Sequence, residues 1–234
     1  MHDLSGAHWR HSRAQEHVAH VKVLVDAFRA EGKIVLPADS DVQGGAESFE
    51  VPPAQEPSDD IRLRVGEAVY NFRAALDYSI HVISGGKGQS QFPIESKRER
   101  FEARKTGRLP NGKNVAAYLK GVGVRECDLI KAVQPCEGAD WTTRLAALSN
   151  RDKHRDLVVV NAASTKPFTR EDLPALYPSD NLYPSDSLYP SDGGAEMHVE
   201  TPIDIALDDG VLVTEALEEI EVSVRALLTA LEGR

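Results

Sequence analysis

The chain has 234 residues, of which 41% are hydrophobic and 27% charged, so it can bury one sizeable core. Its two cysteines are too few for a disulfide framework and are not spaced as metal or redox cysteines. The formal net charge is −10, and no apolar run approaches the ~18 residues that would span a bilayer. Composition therefore excludes a disulfide scaffold and a transmembrane protein, and it indicates a single domain over residues 1–234.

Residues 1–31 are expected to form the N-terminal helix, because Val18, Val21, Val25 and Phe28 recur at intervals of three or four. The first residues lack the apolar run of a signal peptide, so we expect a cytoplasmic protein. Five of the eight histidines lie in the first twenty residues: His2, His8, His11, His17 and His20. The two pairs spaced by three point in opposite directions, which favours a solvated surface over a metal site.

Residues 33–53 predict a β-hairpin, since two strand-like runs flank the turn at Gly44-Gly45. Ser58 or Asp59 is expected to cap a second long helix that stops at Gly85-Gly86. The range 59–160 should hold the motif-bearing helices and a strand. Within it, residues 88–110 look polar and irregular. Helices are expected at residues 114–120 and 125–133 and from Asp140 onward, followed by a strand at residues 157–160.

Three consecutive hexads ending in Leu-Tyr-Pro-Ser-Asp fill residues 175–192. Repeated Pro-Ser-Asp makes turns rather than strands, so residues 170–194 are predicted to be a flexible, exposed loop. Alternatively, its tyrosines recognise a protein partner. Residues 195–234 should form two strands and a closing helix. The predicted fold class is mainly α: a helical bundle with a small antiparallel β-sheet attached.

A polar stripe on the second helix is the first candidate site. Arg73, Asp77 and His81 are spaced by four, so they stack on one face, and Asn71 and Tyr78 flank them. The simple interpretation is an ion pair that fixes helix register. The chemical interpretation is that the arginine binds a phosphate and a histidine moves protons, which suffices for RNA cleavage without a metal or cofactor.

A second candidate site is the run from Asn150 to Arg155, at the end of the helix that starts near Asp140. It consists of Asn150, Arg151, Asp152, Lys153, His154 and Arg155. We expect Asp152 or His154 to pack against Arg73 and Asp77 and to form one polar cluster between two helices.

Charge is distributed unevenly along the chain. Residues 171–224 contain fourteen acidic residues and no lysine or arginine, whereas residues 97–131 contain ten basic and four acidic residues. Such asymmetry is typical of a polyanion-binding face beside an acidic one, although patchy surfaces also arise without a ligand.

The segment from Gly66 to Tyr78 resembles a widespread family of uncharacterised bacterial proteins, in which it reads Gly-Asp-x-x-His-Asn-Leu-Arg-Ser-Ala-Leu-Asp-His. The family's later motifs are matched by Phe92-Pro93-Ile94, by residues 130–135 ending in Gln134-Pro135, and by Asn150 to Arg155. The resemblance covers residues 13–160. The Arg-x4-His element of that family is in turn similar to the motif of HEPN-type domains, helical bundles that often dimerise and in several branches cut RNA.

The resemblance implies an HEPN-like, metal-independent RNA-binding or RNA-cleaving homodimer that acts in defence or stress. If it is an enzyme, it is an endoribonuclease. Its catalytic residues would be Arg73, His154 or His81, Asp77 and Asn71. Its substrate-binding residues would be Arg151, Lys153, Arg155 and Tyr78. This chain has Tyr78 where the motif has histidine, so either another histidine substitutes or the fold persists without the chemistry. The alternative is a non-catalytic interaction domain in which the cluster only stabilises the helix pair.

Overall fold

A computed structural model describes residues 2–31, 34–36, 56–87, 89–154, 160–164, 197–199, 203–207 and 209–233. Side chains are not described at residues 31, 34–36, 151–154, 160–164, 197–199 and 203. Within these ranges the chain is mainly α-helical, as predicted, with six α-helices and four short strands. None of the described helices is both long and apolar enough to cross a bilayer.

The two longest helices, α1 (Ser5–Glu31) and α2 (Asp59–Ile83), form an antiparallel pair and confirm the predicted bounds. α2 begins where Ser58, in an extended conformation, accepts a hydrogen bond from the backbone N of Ile61 at 3.5 Å. It ends before Gly85 and Gly86, which both adopt positive φ.

The closing helix α6 (Val213–Glu232) buries the predicted apolar stripe against α1 and α2. Its packing explains why the expectation of solvated histidines is wrong for two of them. His11 lies against Phe72, with Nε2 3.1 Å from the backbone O of Glu221, and His17 Nδ1 lies 3.0 Å from Glu67 Oε2. Both histidines are 4% exposed.

The middle of the chain differs from the prediction in two places. A helix, α3 (Arg98–Thr106), occupies the stretch expected to be irregular. Residues 114–120 contain an isolated β-bridge at Asn114 and a turn at 118–120, and not the expected helix. The next two helices match expectation: α4 (Val124–Ala132) and α5 (Asp140–His154). A short 3₁₀ helix, Pro135–Glu137, joins them.

The strands form two separate antiparallel pairs and not one sheet. β1 (Ile34–Leu36) pairs with β3 (Met197–Val199), and β2 (Val160–Ser164) pairs with β4 (Ile203–Leu207). The described partner of β1 is therefore distant in sequence and is not the second arm of a local hairpin. The remainder of that predicted hairpin, residues 37–53, lies outside the described residues, as do most of the strand at 157–160 and the repeat loop.

The buried histidines predict a loss of stability in mild acid. Burial lowers the pKa of His11 and of His17. The Glu221 backbone opposes this effect only partly at His11, and the Glu67 carboxylate opposes it only partly at His17. The unfolded chain, with histidine pKa near 6.5, therefore binds more protons than the folded chain below that pH. We expect the free energy of unfolding, measured by urea titration, to be constant just above pH 6.5 and to fall as the pH drops below it.

The variants His11→Gln and His17→Gln should flatten this pH dependence, since neither glutamine gains a proton. His20→Gln, at an exposed position on the same helix, is the matched control and should leave the slope unchanged. A slope that is equal in all four proteins would contradict the assignment.

Candidate functional site

Two side chains of α2 hold the backbone of Phe92. Arg73 Nη2 donates a hydrogen bond to the Phe92 carbonyl at 2.6 Å, and the Phe92 N–H donates to Asp77 Oδ1 at 2.7 Å. Arg73 Nε lies 3.4 Å from the same Asp77 oxygen, so the expected i,i+4 ion pair is present. The pair therefore also anchors the following segment of chain, which the sequence did not indicate.

Arg73 is almost completely buried, with 8% of its surface exposed. Burial lowers its pKa, and the charge of Asp77 offsets part of that effect. A guanidinium stays charged even so, and its remaining nitrogen, Nη1, donates no hydrogen bond within the described part of the chain. Arg73 thus keeps one donor for a further partner.

A second ion pair stands beside the first. Arg104, on α3, donates through Nε to Glu95 Oε1 at 2.6 Å and through Nη1 to the Ala116 carbonyl at 3.1 Å. Its guanidinium also lies over the Tyr118 ring, 4.4 Å from the centroid. All the nitrogens of Arg104 are engaged, since Nη2 lies 2.6 Å from the same Glu95 oxygen. Glu95 Oε2 accepts no hydrogen bond within the described residues.

The two ion pairs border a polar cavity of about 160 Å³. It is lined by Arg73, Gln91, Phe92, Ile94, Glu95, Arg104, Tyr118, Ala146, Ser149 and Asn150. Gln91 and Asn150 are exposed, so the cavity opens to solvent between them. A space of this size holds a ring or a phosphate but not a drug-sized ligand. We call it the Arg73 pocket.

The structure divides the predicted stripe between two faces of α2. Asn71 and Tyr78 face α1, where Arg10 Nη1 lies 3.5 Å from Asn71 Oδ1 and the Arg10 guanidinium lies 5.5 Å from the Tyr78 ring centroid. His81 is exposed, its Nδ1 2.8 Å from the hydroxyl of Ser90, and it does not line the Arg73 pocket. Only Arg73 and Asp77 therefore act together.

The second predicted segment is described in part. Asn150 lines the Arg73 pocket, so the two motif segments come together at this residue. The side chains of Arg151, Asp152, Lys153 and His154 and the whole of Arg155 lie outside what the structure describes. The predicted packing of Asp152 or His154 against Arg73 and Asp77 stays a prediction.

Sequence reasoning missed Glu95, Arg104 and Tyr118. Glu95 directly follows the Phe-Pro-Ile motif, and that adjacency was the one signal available. Its position is fixed by Gln134 of the Gln-Pro motif, whose Oε1 accepts from the Glu95 N–H at 2.9 Å. The sequence pattern around Glu95 does not indicate its ion pair with Arg104 of α3.

A basic surface adjoins the Arg73 pocket through α3. Arg100 lies one helical turn before Arg104 on the same face and is exposed. Five basic residues of the stretch 97–131 are exposed and form no ion pair within the described ranges: Lys97, Arg100, Arg108, Lys113 and Lys120. The predicted excess of positive charge is therefore accessible on the surface.

Two other kinds of site are weaker candidates. The described residues contain no group of three or more His, Cys, Asp or Glu side chains that could hold a metal ion. A larger cavity of about 330 Å³ lies beside α5 and β4. Its arginine, Arg144, forms ion pairs with Asp209 and Glu219, although its buried Nε has no hydrogen-bond partner within the described residues. The Arg73 pocket is the better candidate, because it offers both a donor and an acceptor that lack partners within the described residues.

Removal of the Arg73 side chain should destabilise the fold strongly. In Arg73→Leu the Phe92 carbonyl loses its donor and Asp77 loses its cation, which we expect to lower the free energy of unfolding by about 3 kcal/mol. Urea unfolding followed by circular dichroism measures the loss. Arg64→Ala removes two ion pairs of the same helix, to Asp60 and Glu67, which are more exposed than the Arg73–Asp77 pair. This variant should lower the free energy of unfolding by less than ~1 kcal/mol. Equal losses in the two variants would contradict the anchoring role.

The chain matches no protein-family model, no curated protein and no solved structure. The resemblance to HEPN-type domains therefore depends on the motifs alone, and the Arg73 pocket and its surroundings are the basis for a proposed function.

Proposed function

We propose that the chain is a metal-independent RNA-binding domain that holds one phosphate group of the RNA in the Arg73 pocket. The observation that carries the proposal is that Arg73 lines a polar cavity and that its Nη1 donates no hydrogen bond within the described residues. A guanidinium donor there suits a phosphate oxygen, and Asn150 and Gln91 at the opening can contact a sugar or base.

The pocket can orient a bound phosphate, but it does not supply a net electrostatic attraction for RNA. Its two arginines are balanced by Asp77 and Glu95, so these four side chains carry no net charge. Attraction for a polyanion must then come from the unpaired lysines and arginines of the stretch 97–131. A strand that crosses α3 would place its phosphates along Arg100 and its neighbours while one phosphate group enters the Arg73 pocket.

The resemblance to HEPN-type domains supports this proposal. The proposal includes the further properties that the resemblance implies: an HEPN-like bundle, a homodimer and a role in defence or stress. A helical bundle with an arginine on a polar helix face is what that family resemblance implies. Recognition of RNA through single-stranded segments also agrees with a pocket that admits one phosphate group or one ring. Cleavage by His81 is disfavoured by its distance from the pocket lining, whereas the side chain of His154 lies outside the described residues.

A second candidate function is the non-catalytic interaction domain. The burial of Arg73 favours it, because a side chain that makes a hydrogen bond to Phe92 and an ion pair with Asp77 is already explained by structure alone. On that alternative, the cluster positions the chain, and partners bind elsewhere.

RNA binding by the purified full chain separates the two functions. We expect a single-stranded RNA of mixed sequence to bind in the presence of EDTA, with an affinity that falls as salt rises. Arg100→Ser and Lys113→Ser should each weaken binding and reduce the slope of log affinity against log salt by about 0.7. Fluorescence anisotropy at several salt concentrations measures both effects.

Arg225→Ser is the matched control, since Arg225 is an exposed arginine of α6 outside the basic stretch. Its affinity should equal that of the wild type. Asn150→Ala tests the pocket itself and should weaken binding at every salt concentration without a change in slope. If the wild type does not bind RNA, the proposed function is rejected and the non-catalytic interaction domain remains as the alternative.

A further inference from the structure

We propose that Glu95 is the general base of an RNA-cleaving reaction in the Arg73 pocket. This inference rests on the proposed RNA binding and adds a reaction and a residue to it. It assigns the role of general base to a carboxylate outside the sequence motifs, in place of the histidine that the family resemblance implies.

Glu95 is held rigidly at the pocket wall. Its backbone N–H donates to Gln134 Oε1 at 2.9 Å, and its carbonyl accepts from the Cys136 N–H at 3.2 Å. Its carboxylate is fixed through Oε1 by Arg104, which is itself fixed over Tyr118. A catalytic group needs this kind of support, because its position must not drift as the substrate binds.

The free oxygen of Glu95 can only accept. Glu95 is 6% exposed and lines the Arg73 pocket, and its Oε2 accepts no hydrogen bond in the described part of the chain. Arg73 lines the same small cavity, and its Nη1 can only donate. One ligand that fills about 160 Å³ therefore meets an acceptor and a cationic donor together.

This pair suits the transfer of a phosphodiester to its own ribose. Glu95 Oε2 takes the proton of the 2′-hydroxyl, and the 2′-oxygen forms a bond to phosphorus. The bond from phosphorus to the 5′-oxygen of the next nucleotide breaks, and Glu95 returns the proton to that oxygen through a water molecule. Arg73 Nη1 stabilises the charge on the phosphorane. The products are a 2′,3′-cyclic phosphate and a 5′-hydroxyl, and nothing is oxidised or reduced.

The test follows cleavage of a single-stranded RNA by the full chain in EDTA, with product ends identified by mass spectrometry. We expect cyclic phosphate and 5′-hydroxyl ends from the wild type. Glu95→Gln should be slower by about a hundredfold, with RNA affinity within about twofold of the wild type.

Glu137→Gln is the matched control, because Glu137 is an exposed glutamate that also pairs with an arginine of α3, Arg98. It should cleave at the wild-type rate. If Glu95→Gln fails to fold, Glu95→Asp keeps the charge opposite Arg104 but withdraws the oxygen, and it should fold and cleave at least about tenfold more slowly.

Three results would overturn the inference while RNA binding stands: binding without cleavage by the wild type, full activity in Glu95→Gln, or cleavage that stops in EDTA and so requires a metal ion. Failure of the wild type to bind RNA at all would instead reject the proposed function.

Discussion

The site depends on the capture of one residue's backbone by two side chains of α2. Phe92 belongs to a segment without helix or strand, so its N–H and C=O need partners from elsewhere. Asp77 and Arg73, one turn apart, supply an acceptor and a donor. The Phe92 ring is then fully buried, and the next residues leave the helix surface in a fixed direction. An ion pair that would contribute little on an exposed helix thereby determines where Glu95 lies.

Glu95 repeats this arrangement three residues later with partners from the other side. Its N–H and C=O bond to Gln134 and to the backbone N–H of Cys136, which join α4 to α5. The Phe-Pro-Ile segment is thus clamped between two motifs that are distant in sequence, and the Arg73 pocket is the space left at the junction. The motif of α2 and the Gln-Pro motif each supply a side chain that satisfies the backbone of this segment. These contacts therefore have a structural role whether or not the pocket binds a ligand.

Local periodicity predicted the elements whose buried residues recur at helical spacing, and it failed where they do not. α1, α2, α5 and α6 were predicted because their apolar residues recur every three or four positions. α3 was missed because its two buried residues, Phe101 and Ala103, are only two positions apart. The burial of His11 and His17 was missed because both were interpreted by residue type, although their spacing from Val18 and Val21 places them on the apolar stripe of α1. The Arg73–Asp77 pair was predictable from i,i+4 spacing, but its partners in the pocket are tertiary contacts.

The geometry shows that Tyr78 lies on a different side of α2 from the Arg73 pocket. One residue along a helix is a rotation of about 100°, so Asp77 faces Phe92 while Tyr78 is directed to α1. There it lies beside Gly6 and Arg10 and is half-exposed. A histidine at this position would project to the same side and could not reach the Arg73 pocket within one protomer. The replacement therefore leaves the chemistry of the pocket unchanged. In the proposed reaction the proton acceptor comes from the wall of the pocket, where Glu95 is a carboxylate with an oxygen that accepts no hydrogen bond within the described residues.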